Sequence, residues 1–78
     1  MRAIKVAVGN RFIPSVIEEF ICFDVDISDK NEMEYCAEEC CGQYLDMHGD
    51  IYNAVLADVD WETFAEACYY TIEEVSNV

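Results

Sequence analysis

Apolar and polar positions along this chain predict short strands near the N-terminus and amphipathic helices after them. Residues 3–8 alternate, with Ile4, Val6 and Val8 on one side and Lys5 on the other, the period-two pattern of a half-buried strand. Gly9-Asn10 predicts a turn after it. Ser15-Val-Ile-Glu18 has the form of a capping box, so a short helical turn is expected near 15–19. Alternation returns over about 20–27, with Ile21, Phe23, Val25 and Ile27 facing one way and Cys22, Asp24 and Asp26 the other.

Further on the period changes. Ser28-Asp-Lys-Asn31 reads as a loop, and Asn31 followed by Glu34 predicts a helix running to about Met47 and stopping near Gly49. Met33, Cys36, Ala37, Cys40, Cys41, Tyr44, Leu45 and Met47 fill one arc of that helix, while Glu32, Glu34, Tyr35, Glu38, Glu39 and Asp46 fill the other. Residues 51–59 fit either a strand buried on both faces or a helix capped by Asp50. The helical arc of Ile51, Tyr52, Val55, Leu56 and Val59 is the tidier pattern, although the β-branched content favours a strand. Behind an N-cap at Asp60, the spacing of Trp61, Phe64, Ala65, Cys68, Ile72 and Val75 predicts a final helix over 60–75. Its other face carries Glu62, Glu66, Tyr70, Glu73 and Glu74, with Tyr69 at the border. The fold class expected is α+β: one acidic domain over 1–78, its small antiparallel sheet drawn from the N-terminal third and packed against two or three amphipathic helices.

Charge narrows the function classes. The net charge is −13, yet 54% of the residues are apolar, too many for a disordered acidic tail. Arg2, Lys5 and Arg11 lie near the N-terminus, and after Lys30 twelve carboxylates follow without one Lys or Arg. Direct binding to nucleic acid or to an anionic membrane needs the opposite sign. The opening Met1–Val8 run is short, is interrupted by Lys5 and carries no cleavage site, so a cytoplasmic protein is expected. In that compartment the five cysteines are expected to be reduced and to act as small buried hydrophobes.

Constellations for chemistry are weak. Cys36, Cys40 and Cys41 with His48 lack the paired knuckle spacing of a zinc site, and no electropositive neighbourhood would activate a thiolate. Asp24-Val-Asp26-Ile-Ser28 opens like a calcium loop, but Asp29 stands where its glycine belongs and Tyr35 where its closing glutamate belongs. Asp58-Val-Asp60 fits capping better than catalysis, and no phosphate-cradling loop or nucleophile elbow is present. No enzyme activity, catalytic residue, metal or cofactor is expected.

The acidic faces remain. Side chains three or four apart on a helix sit about 5–6 Å from one another, comparable with successive phosphates on a strand carrying one charge per ~3.4 Å of axis. Glu34, Glu38, Glu39, Asp46, Glu62, Glu66, Glu73 and Glu74 therefore present a phosphate-like field, and Tyr35, Tyr69 and Tyr70 beside them add rigid contact area. These eleven residues are the candidate contact surface for a basic nucleic-acid-binding protein.

In general character the chain resembles the acidic nucleic-acid mimics encoded by phages and mobile elements, and the anti-CRISPR proteins among them most of all. The resemblance implies a non-enzymatic inhibitor whose partner is a Cas protein or effector complex, blocked where it meets target DNA. An acidic immunity or antitoxin protein capping a nuclease toxin is the alternative, and it would lean on tyrosine anchors more than on any single glutamate.

Overall fold

The computed structural model describes residues 3–50 and 58–75. In chain order they form β1 (Ala3–Asn10), β2 (Glu18–Phe23), α1 (Lys30–Met47), α2 (Trp61–Glu66) and β3 (Cys68–Val75). β1 is the central strand, with β2 and β3 antiparallel on its two edges. The class is α+β, as expected, with two helices among the described residues, one of them long. The sheet is not confined to the N-terminal third, because its third strand comes from residues expected to be helical. A central strand with an apolar face needs partners on both edges, and Cys68–Val75 supplies the second.

That exchange is the main correction. The predicted helix over 60–75 is a helix only over Trp61–Glu66, capped by Asp60, whose Oδ1 accepts from Thr63 N at 2.7 Å. Beyond Ala67 the chain is extended. Tyr69, Tyr70, Thr71 and Ile72 are aromatic or β-branched residues that suit a pleated surface, and their environment overrode the helical spacing. Trp61, expected in the apolar stripe, is 45% exposed.

Smaller corrections concern the first thirty residues. β1 runs through Gly9 and Asn10, and the chain turns at 11–15 instead. No helical turn forms at 15–19; a tight turn closed by Val16 N donating to Ile13 O leads directly into β2. β2 stops at Phe23, and its faces are the reverse of the expectation. Val6 stands opposite Phe20 and Ile4 opposite Cys22, so Phe20 and Cys22 share the covered face while Ile21 and Phe23 lie on the open one. At Asp24 the backbone takes the left-handed conformation (φ 61°), tolerated by Asp, and Val25 turns into the core. α1 starts two residues early, capped by Asp29 rather than Asn31, with Asp29 Oδ1 accepting from Asn31 N and Glu32 N. Met47, placed in its apolar arc, is exposed. Most of the ambiguous segment 51–59 lies outside the described residues.

The core lies between α1 and one face of the sheet. Ile4, Val6 and Val8 are completely buried, with Ala37, Cys40 and Tyr44 from α1 and Phe64 from α2. Tyr44 Oη donates to Val16 O at 2.7 Å, so the one polar atom of this large side chain is satisfied. On the open face Gly9 leaves room for its neighbours: an added Cβ would lie 2.7 Å from both Ile17 Cδ1 and Tyr69 Oη.

Asn10 joins the pieces. It is fully buried at the end of β1; Nδ2 donates to Phe64 O at 2.8 Å, and Oδ1 accepts from Phe12 N at 2.9 Å. One side chain thus ties the central strand to the end of α2 and to the turn after β1. Asn10→Ala would remove one of the two donors to Phe64 O, which keeps Ala67 N, and would leave Phe12 N without its acceptor, and we expect a loss of about 1–3 kcal/mol. Urea unfolding would measure it, and a midpoint unchanged from the unsubstituted protein would contradict this role.

Candidate functional site

α1 carries the largest share of the candidate contact residues. The helix forms because Asp29 caps it and because its apolar positions cover β1, leaving Glu34, Tyr35, Glu38, Glu39 and Asp46 on the remaining surface. Its last turn contains no basic residue, so nothing on the helix offsets the negative end of its dipole. Alternation along β3 then sorts the other candidates. Tyr70 and Glu74 share the α1 side of the sheet, whereas Tyr69 and Glu73 share the open side.

The eleven residues accordingly do not make one surface. Glu34, Tyr70 and Glu74 line a groove between α1 and β3, together with Lys30, Met33 and Ile72. Glu39 and Asp46 line a second groove with Gly42, Gln43, Leu45 and Trp61. Glu66 shares a third depression with Arg11, Phe12 and Thr63, so a cation stands beside it. Glu73 is 3.5 Å from Lys5 Nζ, which also lies 3.8 Å from Glu19 on the neighbouring strand. Glu62 is exposed on α2 and Tyr35 on α1. Lys30 likewise shares the first groove with Glu34 and Glu74, so the least compensated charge is on α1 beyond its first turn, at Glu38, Glu39 and Asp46. Met33, Ile72 and Trp61 border these grooves and were absent from the candidate surface. The signal for Ile72 was available, since Cys68, Tyr70, Ile72 and Glu74 lie two apart and fall on one face of a strand.

Electrostatics follow from this packing. Burial raises the Tyr70 phenol above its ordinary range, and the nearby Glu34 and Glu38 carboxylates add to the effect. Asp26 is held below the usual carboxylate range by hydrogen bonds from the Ser28 side chain and backbone. Asp60 is lowered by its hydrogen bonds with Thr63.

The thiols and His48 do not converge. Cys40 Sγ lies 3.7 Å from Cys22 Sγ on β2, and His48 packs at a tilt of 55° against Tyr44 with ring centroids 4.6 Å apart. His48 Nε2 is also 3.3 Å from Glu18 Oε1, in ionic range though not aligned for a hydrogen bond. Among the described residues no group of three or more His, Cys, Asp or Glu side chains is placed to hold a metal. Burial raises the thiols of Cys36, Cys41 and Cys68, and pushes Cys40 up to about 12. Raised values keep these thiols in the neutral form, the less nucleophilic one.

Alkaline pH should expose this burden. Burial also pushes the Tyr44 phenol up to about 12. Raised folded-state values favour the neutral forms. Their contribution to stability is therefore complete below the ordinary values of 9.0 for the thiols and 10.0 for the phenol, and it is lost as pH climbs toward about 12. We expect the urea midpoint to fall across that window; a midpoint constant through it would contradict the burial of these groups. Comparison with protein-family models, with curated proteins and with solved structures finds no match for this chain.

Proposed function

We propose that this chain is a non-enzymatic inhibitor that binds a basic nucleic-acid-binding protein, with α1 and the adjoining edge of β3 presenting a surface that imitates the charge of DNA. In its most specific form it is an anti-CRISPR protein that keeps a Cas effector from target DNA in the cytoplasm. One observation carries the reading: Glu38, Glu39 and Asp46 lie on α1 apart from the cations that accompany Glu66 and Glu73, and Lys30, which shares a groove with Glu34 and Glu74, is the one basic residue on the helix. From Glu34 to Asp46 the helix advances roughly 18 Å at about 1.5 Å per residue. That length spans several phosphates of a nucleic-acid strand, and a basic groove shaped for phosphates offers the complementary potential.

The immunity or antitoxin form uses the same surface with Tyr70 as anchor, because Tyr70 is the tyrosine of β3 that faces α1. Inhibition of a nuclease, without effect on DNA binding by a Cas effector, would select that form. Among the described residues no helix is long and apolar enough to cross a membrane.

A DNA-binding competition tests the proposal. Purified protein should lower target-DNA binding by a Cas effector, and its affinity should fall about tenfold or more as salt rises and screens the exposed charge. Glu34→Lys with Glu38→Lys should weaken inhibition about tenfold or more, against a smaller effect of Glu62→Lys with Glu66→Lys. Equal inhibition by all of these variants would sink the mimicry.

A further inference from the structure

The groove between α1 and β3 differs from the rest of the acidic surface. What sets it apart is its lining, since its volume of about 410 Å³ is exceeded by the groove beside Trp61, at about 540 Å³. Met33, Tyr70 and Ile72 form its half-buried floor, and Glu34 and Glu74 stand at its edges. Glu38 is near enough to Tyr70 to act on its phenol. Lys30, one turn before Glu34 on α1, is the one cation in the lining, so Glu34, Glu74 and the nearby Glu38 leave the groove net negative.

We propose that this groove receives an arginine side chain from the basic partner, a deepening that rests on the function proposed above. Arginine matches each part of the groove. Its methylene stem covers apolar surface such as Met33 and Ile72 offer, while its charged head stays near water. A planar guanidinium stacks on a tyrosine face and gives two parallel hydrogen bonds to a carboxylate. Lysine has the charge without the plane, so the groove should prefer arginine. The other acidic positions then act at longer range, steering the partner while this groove anchors it.

The probe is a hexa-arginine peptide, titrated into the whole chain at low salt and followed by amide NMR shifts, with hexa-lysine for comparison. Shifts should concentrate in the first half of α1 and in β3 from Tyr70 to Glu74, and hexa-arginine should bind about threefold or more tighter than hexa-lysine. Glu34→Gln with Glu74→Gln should weaken binding about fivefold or more beyond Glu62→Gln with Glu66→Gln, which removes the same charge. Shifts spread evenly over α2 and the open sheet face, or equal losses in the two variants, would overturn the groove and leave the acidic-surface reading standing. No binding of either peptide at low salt would overturn both. The shift map comes from the unsubstituted protein and so is independent of how any variant folds.

Discussion

One side of β1 governs the molecule. Ile4, Val6, Val8 and Asn10 must all leave water together, and they do so beneath a single long helix with Phe64 closing one end. Full burial of each aliphatic side chain stabilises the fold by about 1.5–3 kcal/mol, and in a chain of 78 residues little else is available to oppose a net charge of −13. The helix must therefore turn its apolar arc inward, and its carboxylates have only the outside left. The acidic surface and the core are two consequences of one amphipathic pattern.

The other side of the sheet follows different rules. Ala3, Ala7 and Gly9 keep the central strand low there, Ile17 and Tyr69 lie across Gly9, and Ile21 and Phe23 are exposed on β2. A bare apolar sheet face is an invitation to stack against another. Here Lys5 sits at its middle with Glu19 and Glu73 on either side, and closing a second layer over that group would desolvate three charges. The same three residues consume one of the chain's four cations locally, which sharpens the contrast with α1.

Charge placement along α1 is unfavourable for stability by ordinary criteria. Glu32 near the N-terminus agrees with the dipole, but no cation supports the C-terminus, and the Glu34–Glu38 pair repels across one turn. A surface of this kind is weak as a stability device and effective as a field for a cationic receptor, whose arrival removes the repulsion. That trade is the physical content of the proposed mimicry.

The class, the first strand, the long helix, the caps at Asp60 and the preponderance of exposed carboxylates were legible in the sequence, because each depends on local periodicity, local hydrogen bonding or composition. Asp29 in place of Asn31 moved a boundary by two residues without changing the helix. Which way β2 faces, and that 68–75 is a strand, were not legible. In both segments two periods coexist: Cys68, Ile72 and Val75 suit a helix, while Cys68, Tyr70 and Ile72 suit a strand. Only the open edge of β1 and the side on which α1 settled could choose between them, and both are long-range facts. The same choice divided the candidate surface, sending Tyr70 and Glu74 to the helix side and Tyr69 and Glu73 to the other. By itself the sequence determined the sign of the surface; the tertiary structure decided which charges stand together, because adjacent residues of a strand point to opposite faces whereas a helix would have kept them near one another.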